Sequence, residues 1–177
     1  MPIHVCPLSK VSEILERHKP SRVVSLLDPG SPFPDLGETY LDKHLRLEFH
    51  DIHWPFLTHV APGPAHVDRL LSFISGWNPE ESLLIHCRAG IGRSTGTAFI
   101  AACFHNPRVD EREIALAMRR AAAFVRPNEI LVRLADDSLS RKGRMLAAIR
   151  DTGRNLPPLQ IAEGEAFEIP SVFPPRS

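Results

Sequence analysis

The residues best suited to chemistry in this chain are contiguous: His86-Cys87-Arg88-Ala89-Gly90-Ile91-Gly92-Arg93-Ser94-Thr95. A thiol closes an apolar stretch, two glycines follow, and an arginine stands six positions after the thiol. Such a loop suits a phosphate dianion, which needs donors from several directions. Gly90 and Gly92 let the backbone curl so that the amides of Arg88 to Arg93 point inward. A helix starting after the loop adds its positive N-terminal end. Arg93 can grip two phosphate oxygens with its planar fork. The same positive surroundings favour thiolate over thiol at Cys87. Attack by that thiolate would give a phosphocysteine intermediate and split hydrolysis into two easier steps. Ser94 can hydrogen-bond the sulfur and ease its departure, and His86 and Thr95 flank the loop as supports.

HCRAGIGRST resembles the signature loop of the protein tyrosine phosphatase superfamily: His-Cys, five residues, Arg, then Ser or Thr. The five loop residues are similar to those of tyrosine-specific members, whereas the chain length resembles the smaller dual-specificity and prokaryotic ones. Arg126-Pro127-Asn128 also resembles a dual-specificity segment in which an Asn after Pro braces the phosphate loop, which implies a supporting role for Asn128. In organisation the resemblance spans roughly residues 20 to 140. It implies hydrolysis of a phosphomonoester without metal or cofactor. The substrate would be a phosphorylated protein, with phosphotyrosine ahead of phosphoserine and phosphothreonine, or a small phosphomonoester. The tyrosine-bearing recognition loop of the tyrosine-specific enzymes has no counterpart here.

The family also implies a general acid on a loop some way before the Cys, since the leaving oxygen must be protonated. Asp51 lies 36 residues before Cys87, directly after a predicted strand, although Asp51-Ile52-His53-Trp54-Pro55 places the Asp ahead of the Trp-Pro pair. Asp68 is the rival, inside a predicted helix and 19 residues before Cys87. Three other functions compete. Phosphoinositide or inositol phosphate phosphatases add cations inside the loop, and here only Arg88 does so. A module that binds phosphate without cleaving it would not need Cys87, Arg93 and Ser94 together. A rhodanese-like sulfur transferase would not need the Arg-Ser-Thr ending.

The elements that must carry this loop follow from periodicity. Ile3 to Val5, Arg22 to Leu27 and Ser82 to His86 are short apolar runs, as in buried strands, and Leu45, Leu47 and Phe49 alternate with polar residues. Leu8, Val11, Ile14 and Leu15 have helical spacing, ended by Lys19-Pro20. Further helices are predicted over Ala65 to Trp77, from Thr97 to Phe104, from Asp110 with Glu113 as a capping box, and from Glu129. Asp28-Pro29-Gly30 reads as a turn and residues 51–64 as a long loop. Strands alternating with helices predict an α/β fold: a central mixed or parallel sheet of four or five strands with helices on both faces.

At 177 residues, with 43% hydrophobic and 24% charged residues, the chain suits one domain of ordinary size. Residues 1–150 are expected to form it, and 151–177, with five prolines, a C-terminal extension packed on the body or on a partner. Zero formal net charge gives no pull toward nucleic acid. No apolar run reaches membrane-span length and no secretory leader is evident. Three scattered cysteines, Cys6, Cys87 and Cys103, point to a reducing cytoplasm rather than a disulfide framework. His50, His53, His59 and His66 cluster without zinc-site spacing and read as loop histidines. Cys103 reads as a packed helical cysteine, and Trp54 and Phe56 are candidates for the pocket entrance.

Overall fold

Apolar runs without alternation belong to strands covered on both faces. The computed structural model describes residues 1–52, 57–154 and 156–174, and in it these runs form the inner strands of one sheet. Its strands are Pro2–Pro7 (β1), Arg22–Leu27 (β2), His44–Glu48 (β3), Leu83–Cys87 (β4) and Phe167–Pro170 (β5), in the order β3-β2-β4-β1-β5. The first four run parallel, and β5 pairs antiparallel with β1 at the edge. In this register Cys87 faces Pro7 of β1 on one side and Leu26 of β2 on the other. The nucleophile candidate thus stands mid-sheet at the C-terminal edge, where open parallel sheets place their ligand sites.

The helices are Val11–His18 (α1), Pro64–Ser75 (α2), Arg93–His105 (α3), Glu111–Ala121 (α4), Glu129–Ser138 (α5) and Arg144–Gly153 (α6). They divide unequally between the faces. Among the described residues α1 lies on one face, where Val11 and Ile14 pack on Cys6, Val23 and Leu84, and Leu36 and Tyr40 join them. The other five contribute to the larger core on the opposite face, against Ile3, Val5, Val24, Leu26, Leu83 and Ile85. Helix α3 lies inside that core, with every residue from Arg93 to Cys103 buried. It begins at Arg93 rather than at the apolar run from Thr97, so the hydroxyl pair Ser94-Thr95 belongs to its first turn.

Two elements lie outside the sequence expectation, α6 and β5. Strand β5 brings the chain back beside its first residues, with Ile169 opposite Ile3 and Phe167 opposite Val5. Trp54, Phe56 and His53 lie outside the described residues.

Candidate active site

Strand β4 ends at Cys87 and α3 starts at Arg93, leaving five residues to reverse the chain. Gly90 makes the reversal possible. Its φ of 71° is the left-handed region, and a Cβ there would sit 2.7 Å from the Pro7 nitrogen. Four of the five loop carbonyls accept hydrogen bonds from outside the loop. Arg88 O accepts from Leu8 N at 3.2 Å, Ala89 O from Gly164 N at 2.8 Å, and Ile91 O from Arg126 N at 3.0 Å. Gly92 O accepts from Gly96 N at 2.9 Å and Asn128 N at 3.2 Å. Thr95 Oγ1 adds a bond to Gly92 O at 3.0 Å and another to Ile91 O.

In a trans peptide a carbonyl and the next residue's N–H point opposite ways. Outward carbonyls at 88, 89, 91 and 92 therefore aim the N–H groups of Ala89, Gly90, Gly92 and Arg93 inward. Two of these already have anion-type acceptors. Gly90 N–H lies 3.2 Å from Cys87 Sγ, and Arg93 N–H donates to Asp51 Oδ2 at 3.2 Å. Cys87 Sγ also lies 3.1 Å from Ser94 Oγ. With the N-terminal end of α3 behind them, these donors suit a tetrahedral oxyanion held against the sulfur.

The Arg93 guanidinium is buried and fixed from the ends of the two neighbouring strands. Nη1 donates to Asp28 Oδ1 at 2.9 Å and to Phe49 O at 2.6 Å, while Nε has no hydrogen-bond partner among the described residues. Asp28 opens the predicted Asp28-Pro29-Gly30 turn, where its carbonyl accepts from Ser31 N at 2.9 Å, and its bond to Arg93 is a second role that the turn signal does not assign. A signal for that role was present, because Asp28 follows β2, the parallel neighbour of β4, and so must emerge on the same edge as Cys87.

Asp51 is brought to the loop. Beside its bond from Arg93 N–H, its Oδ1 accepts from Asn128 Nδ2 at 2.8 Å, and Oδ2 is 3.9 Å from Arg93 Nε. A Cβ at Gly92 would lie 2.2 Å from Asp51 Oδ2, so the missing side chain makes room for the carboxylate. Asn128 is fully buried and does several things at once. Its Nδ2 also bonds Ile52 O at 3.1 Å, its Oδ1 caps α5 through Leu131 N at 3.0 Å, and its backbone N–H reaches Gly92 O. Asp68 is exposed on α2. Arg88 is exposed, whereas Ala89 is half-buried and Gly90, Ile91 and Gly92 are buried.

His86 faces the α1 side and bonds Ser25 Oγ, which also lies 2.7 Å from His44 Nε2. Burial, with the neighbouring His44 adding, pushes His86 down to about 4. Burial, with Arg46 adding, pushes His44 to about 4 as well. Both imidazoles are therefore neutral at pH 7. Burial pushes the Cys6 thiol up to about 12, with nearby Cys87 adding, and pushes Cys103 well above its ordinary value.

Among the described residues no group of three His, Cys, Asp or Glu could hold a metal ion. His50 Nδ1 instead accepts from Val60 N at 3.0 Å, and His66 Nδ1 from Gly63 N at 3.0 Å. No helix among the described residues is long and apolar enough to cross a membrane.

No protein-family model and no curated protein matches the sequence. Solved structures do match. The human tyrosine phosphatase-like serine/threonine/tyrosine-interacting protein has a TM-score of 0.59 at 17% identity, covering 78% of this chain and 91% of that one. The Cydia pomonella PTP-2 phosphatase has a TM-score of 0.54 at 21% identity, covering 75% and 83%. PTPMT1 in complex with PI(5)P has a TM-score of 0.54 at 14% identity, covering 78% and 91%. The chain has the fold of the tyrosine and dual-specificity phosphatases.

Proposed function

We propose that this chain, built on a tyrosine and dual-specificity phosphatase fold, hydrolyses phosphomonoesters through a phosphocysteine at Cys87. The observation that carries the reading is the Cys87–Arg93 loop itself. Four of its carbonyls are tied outward, two of its amides meet acceptors on the inner side, and its arginine is fixed by two strand ends.

Cys87 Sγ attacks phosphorus and the P–O ester bond breaks. The loop amides and Arg93 hold the equatorial oxygens as charge shifts onto them. Asp51 protonates the departing oxygen. For a phosphate oxygen to take the Arg93 N–H, the Asp51 carboxylate gives up that bond while Asn128 keeps it at the loop. In the second step water attacks phosphorus, its proton goes to Asp51, and the P–S bond breaks. The Ser94 hydroxyl hydrogen-bonds the leaving thiolate. No step calls for a metal or cofactor.

A phosphorylated protein, with phosphotyrosine first, is the substrate class we assign, in keeping with the tyrosine phosphatase-like protein and the PTP-2 phosphatase among the structural matches. A phosphoinositide is the second reading. It is favoured by Arg88, exposed at the first loop position, where a second phosphate could meet it. Hydrolysis of p-nitrophenyl phosphate, with and without chelator, alongside Cys87→Ser, tests the mechanism. We expect chelator-insensitive turnover that Cys87→Ser abolishes. Turnover that needs metal, or that survives the substitution, overturns it. Comparing a phosphotyrosine peptide with PI(5)P vesicles then separates the two substrate classes.

A further inference from the structure

Residues 157–166 run over the surface, and all are exposed except one. That one is Gly164, whose amide donates to Ala89 O at 2.8 Å. The Ala89 carbonyl and the Gly90 N–H are two ends of a single peptide unit. The Gly90 N–H is the group 3.2 Å from Cys87 Sγ. A donor 75 residues downstream of the loop thus fixes the direction of an amide that faces the nucleophile.

The segment is seated deliberately. A Cβ at Gly164 would lie 2.4 Å from Phe124 Cε2, so only glycine lets the backbone come this close. Phe124 packs edge-on against Phe167 at 5.9 Å, at the start of β5. Upstream, Pro157 O accepts from Arg126 Nη2 at 2.9 Å, and the amide of Arg126 holds Ile91 O. Next to Gly164, the Glu163 carboxylate accepts from Ser9 Oγ, and the adjacent Leu8 N–H holds Arg88 O. The C-terminal segment is therefore joined to both other segments that grip the loop from outside.

We propose that Gly164 is a positioning residue for the phosphate loop, and that residues 157–167 form a strap that keeps the Ala89–Gly90 peptide aimed at the bound phosphate. This rests on the phosphate-loop reading above. Without the Gly164 donor the Ala89 carbonyl is free to rotate inward, where it would oppose an anion instead of helping to bind it. A charge-assisted hydrogen bond is at stake, so the expected weakening is about tenfold.

The test reads phosphate binding without turnover. Cys87 in the full chain is carboxymethylated with iodoacetate at pH 7 and quantified by peptide mass, and inorganic phosphate is titrated as the protecting anion. The Cys6 and Cys103 thiols are held protonated, and peptide mass separates them from Cys87. We expect Gly164→Ala to need about tenfold more phosphate for half-protection. Phe124→Ala alone, which removes one wall of the seat but keeps the Gly164 donor, should give a smaller rise than Gly164→Ala, and Gly164→Ala/Phe124→Ala, which removes the clash, should recover most of the loss. Glu163→Ala, an exposed change that leaves the core untouched, should give a smaller rise of about threefold, and serves if Gly164→Ala does not fold. If phosphate fails to protect Cys87 in the parent chain, the phosphate-site reading falls, and this inference with it. If protection holds in the parent and is unchanged in Gly164→Ala, or in Glu163→Ala where the former does not fold, the strap's role alone is overturned. A double variant as weak as Gly164→Ala also overturns it. A purely structural role would lower melting temperature without moving the phosphate titration.

Discussion

Two carboxylates meet Arg93, and the proposed mechanism gives them different work. Asp28 is bonded to the guanidinium at 2.9 Å, and on the proposed mechanism it orients the fork that would hold phosphate. Asp51 touches the backbone N–H of Arg93 and lies against Gly92, and on the proposed mechanism it is the acid. Leaving-group dependence separates the two roles. Asp51→Ala should cost about 100-fold in kcat on phenyl phosphate and less than about tenfold on p-nitrophenyl phosphate, whose leaving group needs little protonation. Asp28→Asn should lower kcat/KM about tenfold on both alike. Equal small losses from Asp51→Ala would remove it as the acid, and a leaving-group-dependent loss from Asp28→Asn would remove its purely orienting role. The Cys87-to-Thr95 loop was legible in the sequence because the glycines, arginine and hydroxyls that build it are contiguous. Asp51 was reachable from its position just past a strand. Asp28 and Gly164 were not singled out, because their contacts to the loop cross 65 and 75 residues and exist only once the strands are ordered.

The same contrast between local and distant signals decides which elements could be read. β2 and β4 are unbroken apolar runs, and α4 announces itself through Asp110, whose side chain accepts from Arg112 N at 2.9 Å. Helix α6 has no such local mark. It follows Ser140, Lys142 and Gly143, all with positive φ, and its capping acceptor lies in the preceding helix. Asp136, 1% exposed on α5, accepts from Gly143 N at 2.5 Å, Met145 N at 2.6 Å and Leu146 N at 3.3 Å. One carboxylate thus satisfies three amides at the start of a helix and locks α6 to α5. β5 escaped notice for a similar reason: four residues ending in proline, whose pairing partner is the first strand of the chain. Asp136→Ala should leave the buried Met145 amide without a partner, remove the cap from those of Gly143 and Leu146, and destabilise the fold by about 1–3 kcal/mol in urea unfolding, and Asp136→Asn, which keeps one acceptor, by less. A loss below about 1 kcal/mol for the alanine variant would mean that water or a rearranged turn replaces the carboxylate.

For the molecule as a whole, the sheet's two faces differ in chemistry as well as in helix number, and pH should expose the difference. The α1 face carries a polar layer: His4 against His18 at 4.2 Å between ring centroids, and Ser25 between His44 and His86. Burial lowers His4 as well, with His18 adding and Glu168 opposing, so all three sheet histidines fold neutral. In the unfolded chain they titrate near their ordinary value of about 6.5. Between about pH 6.5 and 4 the unfolded state therefore binds protons that the folded state refuses, and stability must rise with pH across that window. The contribution is complete above about 6.5 and is lost as pH falls toward 4, with the fully buried His86 worth up to about 3 kcal/mol and the half-buried His44 less. Glu111 extends the loss downward. Burial alone would raise it, but hydrogen bonds from Arg144 and Arg141 hold it below the usual carboxylate range, and that stabilisation disappears only as Glu111 protonates. Melting temperature should accordingly drop between pH 7 and pH 5 in the parent chain. His44→Asn/His86→Asn should start less stable at pH 7, because it disturbs Ser25, yet lose less on acidification. A parent melting temperature that stays flat across this range, or a double variant that falls as steeply, would show that the buried imidazoles take up protons without opposing the fold.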